Sequence, residues 1–269
     1  MGPRNLPRVT VLVSVLLAPA WSWAATPPPS ASKAKLTVFE AMLEESGQKT
    51  PELSTEELRA HLAKSAVVVF DARTKQDFAI AHIPGSVSID EKGLLRLVQS
   101  FPDRTMEIVV YSNGPFCDLA KRRGEELVNL GYTKVMRYQL GLAVWRALGN
   151  SAETTLEGFR RVLTESSALI VDARGRAAYS QGTIPGAETI LAGEVGKATQ
   201  DRRLKFYDHG TRIVVFANSA AEARAVADEI ARNSYTNSSY FGGTYQELKR
   251  AGFFPERKPP PSNLDGLTQ

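Results

Sequence analysis

Val67-Val68-Val69-Phe70-Asp71-Ala72-Arg73 returns as Ala168-Leu169-Ile170-Val171-Asp172-Ala173-Arg174, an offset of 101 residues between the two aspartates. The same frame carries Leu58 and Leu62 onto Phe159 and Leu163, Phe78 onto Tyr179, and Ile83-Pro84-Gly85 onto Ile184-Pro185-Gly186. Farther on, Ile108-Val109-Val110-Tyr111 matches Ile213-Val214-Val215-Phe216 at an offset of 105, so the second copy carries a small insertion. A period of about 100 residues has the size of a domain and exceeds that of a solenoid repeat. The chain reads as two tandem domains, 51–150 and 151–254.

Each copy spells the same order of elements. Ser54-x-x-Glu57 matches a capping box, and Leu58 and Leu62 give the helix behind it an apolar face. Val67 to Phe70 is a continuous apolar run, as a parallel strand buried on both faces requires. Ile83-Pro84-Gly85 signals a turn. Ile108 to Tyr111 reads as a second strand, 118–130 as a helix stopped by Gly131, 135–138 as a short strand, and 141–148 as a closing helix. Strands alternating with helices imply an α/β fold, a small parallel sheet flanked by helices in each domain.

In such sheets ligands bind beyond the carboxyl ends of the strands. That rule singles out Ser112-Asn113-Gly114-Pro115-Phe116-Cys117, the loop from the second strand into a helix, which holds the only cysteine of the chain. Main-chain N–H groups at a helix start lack partners, attract anions and favour a thiolate. The matching stretch of the second copy, Ala217-Asn218-Ser219-Ala220-Ala221, has no thiol. The second domain therefore reads as structural or ligand-binding.

The chain has 269 residues, 43% hydrophobic and 23% charged, an ordinary globular composition. Residues 1–24 are laid out as a signal peptide. Arg4 and Arg8 precede the apolar run Val9 to Ala18, and Ser22-Trp23-Ala24 places cleavage after Ala24. Export to the periplasm or medium is expected, with membrane contact only if that segment is retained. Residues 25–50 read as a leader and 255–269 as a disordered tail. The net charge of +4 falls to +2 without Arg4 and Arg8. That balance, with no basic-aromatic patch, argues against nucleic acid. One cysteine and three scattered histidines (His61, His82, His209) offer no metal-ligand spacing, and no cofactor is expected. Cys117 to Arg123 fits C-x5-R formally. A phosphatase cradle would need the cysteine directly after the strand, and 118–123 reads as helix.

Asp71-Ala72-Arg73, Asp77-Phe78 and His82-Ile83-Pro84-Gly85-Ser86 resemble the D-x-R…[DE]-[FY]-x-x-G-H-I-P-G-A signature of the rhodanese superfamily. Gly141 to Gly149, with Trp145, is similar to its closing helix. The resemblance spans roughly Leu53 to Gly252 and implies sulfur transfer through a cysteine persulfide. The donor would be a small sulfur-containing anion such as thiosulfate, and the acceptor a thiol or cyanide. The family places that cysteine directly after the strand, where this chain has Ser112. The loop is similar to a Y-C-x-G-P-x-C subgroup of which only Cys117 remains. Arg73 and Asp77 read as an ion pair bracing the loop, His82 as a turn-stabilising hydrogen bonder, and Trp145 as core. Two readings stay open: a thiosulfate-sulfurtransferase-type enzyme using Cys117, and an inactive tandem that binds a protein partner.

Overall fold

The computed structural model describes residues 49–254, apart from 66, 90–92, 94–96, 98 and 206. The signal segment, the tail and all but the last two residues of the leader lie outside the described residues. Among the described residues no helix is long and apolar enough to cross a membrane.

The first copy runs α1 (Thr55–Lys64), β1 (Val68–Asp71), α2 (Lys75–Ile80), β2 (Val87–Ser88), β3 (Glu107–Tyr111), α3 (Leu119–Asn129), β4 (Lys134–Tyr138) and α4 (Gly141–Ala147). The second runs β5 (Ala152–Thr154), α5 (Leu156–Thr164), β6 (Leu169–Asp172), α6 (Arg176–Gln181), β7 (Glu188–Thr189), α7 (Val195–Gln200), β8 (Ile213–Phe216), α8 (Ala220–Arg232), β9 (Ser238–Phe241) and α9 (Tyr245–Arg250). All strand pairs are parallel, in the orders β2-β1-β3-β4 and β5-β9-β8-β6-β7. Glu52 forms a lone bridge to Arg137 on the outer side of β4, so the first sheet has the rudiment of the strand that β5 completes in the second.

The local reasons are legible. Ser54 and Glu57 close the expected capping box on α1, a contribution of about 1 kcal/mol. Val69 and Val109 bury one face of the first sheet with Trp145, while Phe70, Ile108 and Val110 bury the other against Leu127. Both faces are covered, which is why the strands carry no polar alternation. The two cores of the second copy repeat this division, with Val171 and Val215 on one side and Ile170, Val214 and Phe216 on the other.

The copies join through the stretch 79–85. His82 and Glu153 exchange main-chain bonds of 2.9 and 2.8 Å, so the first copy pairs antiparallel with the free edge of β5. The Thr154 hydroxyl donates to the Ile80 carbonyl at 2.8 Å and the Thr155 N–H to that of Ala79 at 2.9 Å. Gly158 lets α5 press against the end of α2, since a Cβ there would lie 1.9 Å from the Ala79 carbonyl oxygen. Main-chain atoms cannot swing aside. Gly158→Ala is therefore expected to cost about 3 kcal/mol, the upper end of overpacking, read as a fall in the urea midpoint at unchanged slope. An unchanged midpoint would mean the helices separate freely.

Candidate active site: the loop after β3

The β3–α3 loop is fixed from beneath by α4. Leu142 and Ala143 donate their N–H groups to the Ser112 and Asn113 carbonyls at 3.0 and 2.9 Å. Gly141 makes this approach possible at φ +62°, because a Cβ would come within 2.5 Å of the Ser112 oxygen and the Gly114 nitrogen. Gln139 clamps the far side, its Nε2 donating to the carbonyls of Pro115 at 2.8 Å and Cys117 at 3.1 Å. The sequence pointed to Gly141 through the closing-helix pattern. Gln139 had no such signal, being one polar residue between two apolar elements.

Cys117 stands two residues before α3, half-buried, its N–H turned back to the Gly114 carbonyl at 3.0 Å. Phe116 beside it is 89% exposed, and Ser112 is only 1% exposed with its Oγ lacking a partner. The strand-end position is thus closed off, and the thiol five residues later is the accessible group. The main-chain N–H groups of Asn113, Gly114, Phe116 and Asp118 have no acceptor among the described residues. Helix α3 has no side-chain cap, and no acidic side chain lies in its first turn. The loop therefore retains donors for an anion.

The second copy caps its helix at the matching place. Ser219 caps α8, accepting from the Glu222 N–H at 3.3 Å, and the Glu222 carboxylate accepts from the Asn218 N–H at 3.2 Å. The mouth beyond is an open pocket lined by Arg174, Asn218, Tyr245 and Phe254, with Arg174 stacked 4.1 Å from the Tyr245 ring and 5.1 Å from that of Phe254.

The repeated D-A-R pair is a brace. Asp71, fully buried, accepts from the Arg73 Nη2 at 2.6 Å, Nε at 3.0 Å and N–H at 2.9 Å, and from the Tyr111 hydroxyl at 2.5 Å. Arg73 also donates to the Ala81 carbonyl at 2.6 Å. Burial opposes its charge, yet the Asp71 bonds hold its pKa above the usual value. The expected Arg73–Asp77 pair is corrected. Asp77 accepts from the Thr74 hydroxyl at 2.7 Å and belongs to the start of α2, while Arg73 folds back two residues to Asp71. In the second copy Thr183 replaces the tyrosine, donating to Asp172 at 2.7 Å.

His82 is placed away from the loop, at the junction of the copies. Its Nδ1 bonds the Phe78 carbonyl at 2.8 Å, its ring stacks on Phe78, and its Nε2 lies 3.9 Å from Glu153. Burial pushes its pKa below 6.5, against the pull of Glu153. An unfolded chain then takes up a proton before the folded one does. The His82 contribution is complete above pH 6.5 and is lost as pH falls from there through the lower folded value. The urea midpoint should drop more steeply from about pH 7 to about pH 5 in the native chain than in His82→Gln. Equal slopes would remove His82 from the account.

Two parallel α/β units, each ending a central strand in a loop before a helix N-terminus and braced by a buried Asp–Arg pair, define the rhodanese class of domain. The rhodanese-like domain family matches residues 54–148 and again 155–251, and the chain belongs to that family. Among solved structures, the chain is similar to a thiosulfate sulfurtransferase from Pseudomonas aeruginosa, at 21% identity over 77% of this chain and 44% of that one, with a TM-score of 0.35. It thus spans under half the length of that protein. It is also similar to the 3-mercaptopyruvate sulfotransferase SseA of Escherichia coli (18% identity, 73% of this chain and 99% of that one, TM-score 0.35). A human single-domain sulfurtransferase, TSTD1, is 25% identical over 34% of this chain and 91% of its own, with a TM-score of 0.31. No relative among curated proteins matches.

Proposed function

We propose that the chain is an exported sulfurtransferase that carries sulfane sulfur on Cys117. The observation behind this reading is the asymmetry of the two mouths. The first keeps a half-buried thiol beside an uncapped helix start, whereas in the second Ser219 caps the helix and no thiol is present. The Cys117 thiolate attacks the outer sulfur of thiosulfate. A new S–S bond forms while the sulfur–sulfonate bond breaks, and sulfite leaves with that electron pair. An acceptor thiolate then attacks the outer persulfide sulfur and displaces the Cys117 thiolate, becoming a persulfide itself. Cyanide in the same role becomes thiocyanate. The free N–H groups of Asn113, Gly114, Phe116 and Asp118 supply hydrogen bonds to the anions this exchange creates. Residues 1–24 carry the export part of the proposal.

Incubation with thiosulfate, followed by intact-mass analysis, should add one sulfur atom per chain. An unchanged mass with thiosulfate and with other sulfane donors would reject the reading. A second reading, an inactive tandem that binds a protein, is favoured by Ser112 and Ala217 at the two strand ends. It predicts no added sulfur and an undiminished biological role in Cys117→Ser.

A further inference from the structure

The mouth of the second copy lies past the carboxyl ends of β6 and β8, at the residues Arg174 and Asn218 that follow them. Parallel α/β sheets bind their ligands there. It holds no thiol, yet it is not filled: a cavity of about 810 Å³ opens at this place. That is the size of a pocket for a small organic molecule, and many times the size of an inorganic ion.

Two kinds of group line the cavity. The first is aromatic. Tyr245 and Phe254 stand edge to face, with ring centroids 4.7 Å apart. Arg174 lies against both rings but is spent as a cation, its Nε and Nη2 bonded to Asp172 at 3.0 and 2.7 Å. The second is cationic and comes from α9. Residues four apart share one face of a helix, so Lys249 stands a turn beyond Tyr245 and Arg250 a turn beyond Gln246, and all four line the cavity. Lys249 and Arg250 are exposed, and neither is paired with a carboxylate among the described residues. The acid of the same helix, Glu247, is committed to the Thr244 cap. No carboxylate lines the cavity, since Glu222, bonded to the Asn218 N–H, belongs to the start of α8. Rings beside two uncompensated cations suit an anion with a flat apolar body.

We propose that the mouth of the second copy is a noncovalent site for a small aromatic carboxylate, its ring against Tyr245 and Phe254 and its charge on Lys249 and Arg250. The ring gains aromatic packing, and the carboxylate gains charge-assisted hydrogen bonds. A bare inorganic anion would meet the two cations and leave most of the cavity to water. The site does not involve Cys117, so it stands whether or not the first copy transfers sulfur.

The test uses the full chain carrying Cys117→Ser, which removes covalent sulfur chemistry. Calorimetric titration with indole-3-acetate should give one site per chain, with a dissociation constant of roughly 0.1–1 mM for a ligand of this size. Indole-3-acetamide has the ring without the charge, and acetate the charge without the ring. Each should bind at least about tenfold more weakly. Lys249→Gln with Arg250→Gln should weaken indole-3-acetate by about tenfold at an unchanged urea midpoint, since both side chains are exposed. Arg59→Gln, on the exposed face of α1, should leave binding intact. No saturable heat with indole-3-acetate, or equal affinity for the acetamide, would overturn the proposal without needing any variant to fold. Affinity unchanged in the double variant would place the anion elsewhere and overturn it as well.

Discussion

Cys117→Ser is expected to abolish loading by thiosulfate and to lower sulfur transfer by about 10³-fold or more, the scale seen when a covalent nucleophile is removed. The size follows from the inventory. The chain has no second cysteine, and a serine hydroxyl cannot carry a persulfide. Neither loop serine offers a bypass. Ser112 is 1% exposed, and the Ser219 hydroxyl is occupied with the Glu222 N–H. Because Cys117 is half-buried in a loop held by Gln139 and α4, the substitution should leave the urea midpoint nearly unchanged. Transfer that persists in the variant, measured as thiocyanate formed from thiosulfate and cyanide, would take Cys117 out of the chemistry.

The second large effect concerns stability. Asp71→Ala should cost about 3–5 kcal/mol, the range for removing one partner of a buried ion pair. The variant leaves the Arg73 guanidinium, 5% exposed, with the Ala81 carbonyl as its remaining acceptor, and it takes from the Tyr111 hydroxyl its carboxylate acceptor, leaving Ser86 and the Ile83 N–H as its partners. Asp71→Leu combined with Arg73→Met should recover much of that loss, since no charge is then left without a partner. Denaturant unfolding of the two singles and the double reads this directly. A double variant as unstable as the sum of the singles would show that the pair acts through packing and not through charge.

The sequence exposed what is repeated and what is apolar. Strands β1, β3 and β4, the repeats β6 and β8, the Ser54–Glu57 box and the position of Cys117 ahead of α3 followed from periodicity and spacing. What it hid is mostly main chain. Strand β5 carries the residues Ala152-Glu153-Thr154, too short and mixed for any pattern, and it exists because β9 pairs on one side and His82 on the other. Arg73 has two acids within four residues, and spacing alone does not choose between them. An extended strand end puts residues i and i+2 on one face, and this decides for Asp71 over Asp77. His82 sits in a family motif, yet its stacking and its Glu153 neighbour depend on a second domain that local sequence cannot place. The unpartnered N–H groups of the loop are likewise a property of what fails to approach them.

The contact between the copies is head-to-tail, one flank of the first against a different flank of the second. Such a contact closes on no symmetry axis, and repeated between molecules it would build a filament. In the repeat frame the first copy lacks the receiving half of this contact. Glu57 occupies the place of Gly158, where any Cβ would strike a carbonyl, and Leu53 occupies that of Thr154, so it has no hydroxyl to give. The first copy thus offers a flank for the second and lacks the features with which the second receives it.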